Sequence, residues 1–364
     1  MRKISFLSVL IAALVVGCVS EKRFSNTTLV ESTQLKHQKH TGQCWSFAST
    51  SLLEAEAMRL GYDIPELSSF FFVYHTYMDN AADYIKNKGN SHLNTGDLTF
   101  SVLDVFERHG AVPELVYDGN LGELTTKKQM NNRWAEEDEM IALIKVTLDS
   151  LIAVEAAVDE SLAIIEDILI EYIGQAPEQF IHDGQTVTSK TFAKHFLPLD
   201  AKDYVELTSY SHHPFHEKIV LEIPANWRHK SYLNLPIESF MNTIDQALEN
   251  GFTLAWDGDI GNSGGFKDNG HVRVKGEYEE LEKIGQEQRQ SAYERKTTTD
   301  DHNMHLVGTT YDRDGQKFYI LKNTWGENRG MNGKYYLSEN YFRLRTISVT
   351  VHEDGIPANS YNEN

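Results

Sequence analysis

The chain has 364 residues, 53 of them acidic and 34 basic, for a net charge of −19. That length buries a sizeable core and suggests about two lobes. The charge excludes nucleic acid as a partner, because phosphates are repelled by a field of this sign and no Lys/Arg cluster interrupts it; it also disfavours docking on anionic lipid through a basic patch. Residues 1–17 read as a targeting segment: Arg2 and Lys3 precede an apolar run from Ile4 to Gly17 that is too short to span a bilayer comfortably.

Val15-Val16-Gly17-Cys18 resembles a bacterial lipobox, in which Cys18 becomes the acylated first residue after cleavage. The alternative is an ordinary signal peptide cut nearby. The lipobox reading places a lipid-anchored lipoprotein in the bacterial cell envelope, with residues 18–32 as a polar tether and a fold that is itself soluble. It also leaves one cysteine, Cys44, in the mature chain, which excludes structural disulfides.

From Cys44, the residues Trp45, Ala48, Leu52 and Ala55 recur at helical spacing, and Gly61 supplies a stop after Arg59. Cys44 then sits in the first turn, where free backbone N–H groups and the positive end of the helix dipole favour thiolate. A second helical segment opens at Glu66 to Tyr74, and a third runs from Leu98 to His109, closed by Gly110 and Pro113. Residues 125–175 carry Ile141, Ile144, Leu148, Leu151, Ile152, Ile164, Ile165 and Ile168 on an apolar face opposite acidic residues, which predicts amphipathic helices. Residues 178–235 mix short strand-like runs with His212, His213 and His216. No cysteine or carboxylate stands at a helical ligand spacing there, so metal binding is not the reading: metal, none; cofactors, none. Ser239 to Asn250 is an amphipathic helix, Phe252 to Trp256 a buried strand, and 258–300 a glycine-rich loop followed by a charged helix.

A thiolate needs a proton shuttle, and an imidazole oriented by an amide or carboxylate is the usual solution. Asp301-His302-Asn303-Met304-His305 supplies two histidines that point to opposite faces of an extended strand, so only one can face the cleft. The strand turns at Asp312-Arg313-Asp314-Gly315 and returns through Phe318 to Leu321, a hairpin that brings Asn323 beside His302, with Trp325 placed to exclude water.

Gln38 six residues before Cys44, then Cys-Trp-Ser-Phe-Ala, Asp-His downstream and Asn-Thr-Trp-Gly after it resemble the papain-like cysteine peptidases. Cys44 and His302 stand 258 positions apart, against roughly 130–150 in compact members, so a large insertion separates the halves. Leu197-Pro198-Leu199-Asp200, Tyr232-Leu233-Asn234-Leu235-Pro236 and Ala255-Trp256-Asp257-Gly258-Asp259 are similar to the aminopeptidase C and bleomycin hydrolase branch.

The resemblance implies an α+β, papain-like two-lobe fold: a helical lobe carrying Cys44, a β-barrel lobe carrying the base, and a helical insertion over about 125–235. It implies His302 as the base, six residues before Gly308 and two before Met304, with His305 as a satisfied strand histidine. Asn323 orients the base, Trp325 shields the pair, and the Gln38 amide with the Cys44 N–H forms the oxyanion hole. Gly96 is the candidate for hydrogen bonding extended substrate, with Thr95 standing where relatives have a second glycine and narrowing that edge. The branch implies aminopeptidase action on peptide substrates, with the chain's own C-terminal carboxylate, at Asn364, meeting the substrate's α-ammonium, and a homo-oligomer (a hexameric ring) with its active sites inside. The rival readings are a papain-like endopeptidase and a non-catalytic peptide-binding protein on the same scaffold.

Overall fold

The computed structural model describes residues 24–120, 127–261 and 269–361. The expectations for the signal segment, for Cys18 and for Asn364 fall outside the described residues.

The first lobe is built on α1 (Cys44–Arg59), whose residues Trp45 to Ala57 are all buried. A helix lined all round by Ala, Ser, Thr and large apolar residues has no solvent face to keep polar, and so becomes the central element of its lobe. Packed on it are α2 (Ser69–Lys86), capped by Ser68 Oγ accepting from Phe71 N at 3.0 Å, and α3 (Thr99–His109). Then come α4 (Lys127–Ala153), α5 (Val158–Ile173), the hairpin β2 (Gln179–His182) with β3 (Gln185–Thr188), and α6 (Ser189–Phe196). Ile144 and Leu148 of α4, Ile165 and Leu169 of α5 and Phe192 of α6 share one apolar cluster with Trp45, Phe70 and Phe72. The predicted helices are present. Their apolar faces complete the first lobe's own core.

The second lobe is a sheet in the order β5-β6-β4-β12-β7-β9-β10-β11-β8. Its strands are β4 (Tyr204–Thr208), β5 (Glu217–Val220), β6 (Ser231–Asn234), β7 (Leu254–Gly258), β8 (His271–Val272), β9 (His302–Asp312), β10 (Lys317–Lys322), β11 (Lys334–Ser338) and β12 (Thr346–His352). Helices α7 (Ile237–Glu249), α8 (Gln286–Glu294) and α9 (Glu339–Arg345) accompany it. Phe240, Trp256, Met304, Leu306 and Tyr319 are in its core. Within the stretch read as insertion, β4 pairs antiparallel with β12 from Tyr204↔His352 to Thr208↔Ser348, which commits that segment to the sheet.

The polar stretch read as a tether is part of the fold from Phe24 onward. Phe24–Leu29 form β1, antiparallel to β9 from Phe24↔Asp312 to Leu29↔Gly308. Phe24 stacks on Tyr336 at 4.6 Å, and a side chain at Gly308 would collide with the Thr28 carbonyl, so Gly308 is what lets β1 lie down. Its exposed face is why the segment reads as solvated: hydrogen bonds and one aromatic anchor hold it, without an apolar stripe.

Candidate active site

The lobes meet where the start of α1 faces the start of β9. His302 opens β9 and Asn323 follows β10, and the ladder that pairs His305 with Lys322 sets them side by side. The imidazole Nε2 lies 2.9 Å from Asn323 Oδ1. Thr324 N–H donates to that same oxygen at 2.8 Å, which identifies it as the amide oxygen; Nε2 of His302 is therefore the protonated nitrogen, and Nδ1 is left with a lone pair to take a proton. Trp325 covers the pair with its ring 4.8 Å from that of His302. His305 points the other way: its Nδ1 is 2.8 Å from Ser51 Oγ of α1, a buried contact that ties the lobes together. The structure thus separates the two histidines as the strand alternation requires.

Cys44 is the first residue of α1 and half-buried, and its sulfur accepts from the backbone N–H groups of Asn303 and Trp45. The residue after the base is therefore bonded to the nucleophile. Burial pushes the thiol up to about 12, opposed by those two N–H groups and reinforced by Asp257 and Asp301, while burial lowers His302 to about 4 against the Asn323 bond that raises it. A lone ion of either kind is disfavoured here; desolvation outweighs the helix dipole.

Gln38 is buried in the loop before α1. Its backbone N–H donates to Thr324 O at 2.9 Å, Thr324 Oγ1–H donates to its side-chain oxygen, and its Nε2 donates to Thr41 O. With the carbonyl end taken by Thr324, the amide is turned so that one N–H bonds the loop and one remains.

The model of the Peptidase C1-like family matches residues 95–363, a span that contains His302 and Asn323. The chain belongs to the Peptidase C1-like family. Aminopeptidase C of Streptococcus thermophilus is 21% identical over 89% of this chain and 81% of its own length, and aminopeptidase G of Lactobacillus delbrueckii subsp. lactis is 20% identical over 92% and 85%. The crystal structure of PepW from Lactobacillus rhamnosis superposes with a TM-score of 0.70 at 19% identity, covering 93% of this chain and 83% of that one. The fold is papain-like, as the motifs implied. Gln38 and Cys44 precede the span matched to the family model, so their place in the site rests on the geometry above.

In this C1-like chain the remaining expectations sort as follows. The Thr95 side chain lies against Gly42, where a Cβ would run into Thr95 Oγ1, while a Cβ at Gly96 would meet nothing within 4 Å. Gly96 thus faces open space. The described tail ends near Ser360, whose Oγ is 2.9 Å from Thr243 Oγ1 on α7. His212, His213 and Glu222 do come together, the imidazoles at 3.2 and 2.7 Å from the carboxylate. Gln290, with its oxygen fixed by Ser211 N–H, donates to His212 Nδ1, so His212 turns a proton and not a lone pair toward Glu222; this is a hydrogen-bonded surface cluster more than a ligand set.

Sequence reasoning missed Glu137. This buried residue of α4 accepts from Gly42 N at 2.5 Å and from Gln43 Nε2 at 2.8 Å, and Gln43 also donates to Tyr77 OH at 2.6 Å. One turn earlier, Trp134 is half exposed and borders a cavity of about 360 Å³ with His37, Gln38, His40 and Trp325.

Proposed function

We propose that this C1-like enzyme is a cysteine aminopeptidase that removes N-terminal residues from peptides. The observation that carries the chemistry is the Asn323 Oδ1–His302 Nε2 bond set beside the Cys44 sulfur, which accepts from the N–H of the residue next to His302. The exopeptidase assignment draws on the curated relatives, which are named as aminopeptidases C and G and align over most of their length.

In this mechanism the Cys44 proton moves to His302 Nδ1 as Sγ attacks the scissile carbonyl. The thiolate and imidazolium are created together, each as the other's counter-ion, which avoids the lone ions that burial disfavours. The oxyanion is met by the Cys44 N–H and the second N–H of Gln38. His302 returns its proton to the departing amine, leaving a thioester; it then takes a proton from water, whose oxygen attacks the thioester and releases the acid and the thiol. The test compares a peptide with a free N-terminus against its N-acetylated form and maps labelling by a thiol-directed epoxide. Cleavage of the free form with the adduct on Cys44 is expected. Preference for the blocked peptide overturns the exopeptidase reading, and failure to label Cys44 in folded protein overturns the chemistry.

The same reading places the enzyme in the bacterial cell envelope, anchored through an acylated Cys18, on the support of the Val15-Val16-Gly17-Cys18 motif. No helix among the described residues is long and apolar enough to cross a membrane. Fatty-acid labelling that disappears in Cys18→Ala is the expected result, and unlabelled wild type sinks it.

A further inference from the structure

Asp257 on β7 and Asn303 on β9 are cross-strand partners, one step from the Gly258↔His302 pair. Both side chains are buried at 4% exposure. Asp257 receives two long hydrogen bonds, from Asn303 Nδ2 and from Ser348 Oγ, each 3.4 Å. Among the described residues no cation pairs with it, and the charged groups that face it are Asp300, Asp301 and Glu206, all acidic. Burial and these like charges hold the Asp257 carboxyl well above the usual carboxylate range, so it stays the neutral acid until a cation arrives. The Asn303 side-chain oxygen has no partner at all.

These acceptors flank the nucleophile, since the backbone N–H of Asn303 bonds the Cys44 sulfur and Asp257 is near enough to act on it electrostatically. They form a buried carboxyl without a counter-ion and an amide oxygen without a donor. An ammonium carries three N–H donors and a positive charge on one atom, and so supplies what both lack. In a peptide with a free N-terminus that group is two bonds, about 2.5 Å, from the carbonyl carbon that Cys44 attacks. We infer that Asp257 and Asn303 bind the α-ammonium of the substrate, an anionic anchor supplied by β7 and β9 of this chain's own sheet in the role that the resemblance gives to the C-terminal carboxylate. The inference rests on the aminopeptidase reading and gives it a structural cause: a free α-ammonium lets Asp257 give up its proton and pair, whereas a blocked or internal residue brings no counter-ion.

The experiment measures kcat/KM for an aminoacyl arylamide and for its des-amino analogue, in wild type and in Asp257→Asn, with epoxide titration of Cys44 to count competent sites. Because the ratio of the two substrates is taken within one preparation, loss of active protein does not affect it. The expected result is a free-amine to des-amino ratio that falls at least about tenfold in Asp257→Asn and severalfold in Asn303→Leu, which keeps volume but removes the orphan oxygen. An unchanged ratio in a labelled Asp257→Asn overturns the inference while leaving the aminopeptidase reading intact. If Asp257→Asn does not label, the ratio in Asn303→Leu decides by the same criterion. A wild type indifferent to the α-amine overturns the aminopeptidase reading, and the ammonium site with it.

Discussion

The two sides of the cleft hold their reactive groups by different means. On the sheet side, His302 and Asn323 belong to one hairpin, and the backbone ladder of β9 and β10 delivers them to each other. On the helix side, the loop from Gln38 to Cys44 has no ladder. It bends through Lys39 and His40 at positive φ, 48° and 60°, a conformation that non-glycine residues adopt at a cost. It keeps that shape through side chains from elsewhere: Thr324 on Gln38, Glu137 on Gly42 and Gln43, Tyr77 on Gln43. A geometry carried by backbone pairing tolerates side-chain change around it, whereas one carried by imported hydrogen bonds fails when a single donor or acceptor is removed.

The hardest test of the sheet side removes the orienting amide. Asn323→Ala frees the His302 ring and exposes it under Trp325, and kcat/KM is expected to fall about 10²-fold, at the low end for losing an acid–base partner, with the fold kept. The pH profile sharpens the point. Catalysis needs His302 neutral, and burial holds its acidity near about 4, so the acid limb of wild-type kcat/KM should fall near 4, well below the ordinary 6.5 of imidazole. A wild-type limb at 6.5 would show that His302 is not the buried base described. The same shift fixes the sign for stability: below 6.5 the unfolded chain takes up a proton that folded His302 refuses, so this residue's contribution is complete above 6.5 and is lost as pH falls toward 4.

An intermediate effect is expected from Glu137→Ala on the helix side. It strands Gly42 N–H and one donor of Gln43, which costs about 1–3 kcal/mol of stability. It also loosens the loop that carries the oxyanion donor, so kcat should fall roughly tenfold. Denaturant unfolding and kcat measured on the same preparation check both. A stable variant with full kcat would mean that the loop's shape does not depend on α4.

The contrast also explains what was legible in the sequence. The hairpin, His302 and Asn323 could be read because they are local: alternation, a turn at Asp312 to Gly315 and a fixed spacing. The α1 start at Cys44 was legible for the same reason. Glu137 was not, because a glutamate on an amphipathic acidic helix looks like every solvated neighbour until tertiary packing puts it under the loop. Nor was β1, since an exposed strand such as Phe24–Leu29 has the composition of a tether, and its partner β9 lies far along the chain. The segment from Tyr204 was assigned to the insertion because nothing in five residues announces a pairing with β12. Asp257 was visible as a letter in a motif, but its lack of a cation is a property of the assembled sheet.

The smallest expected effect falls where the two sides touch. Thr324 belongs to the hairpin by its backbone N–H on Asn323 and to the loop by its hydroxyl on Gln38. Thr324→Val keeps shape and backbone while deleting the hydroxyl, so the Asn323–His302 bond survives and the Gln38 amide loses the contact that fixes which end faces the cleft. Removing an oxyanion donor outright costs roughly 10²–10³ in kcat; leaving it present but free to flip should cost less, about three- to tenfold, in kcat with KM nearly constant. Because the loss is confined to the oxyanion step, the epoxide labelling rate of Cys44 should stay near wild type. Slower labelling would place the hydroxyl's influence on the hairpin, whereas loss of kcat with labelling intact would show that the loop takes its register from the sheet side through this single oxygen.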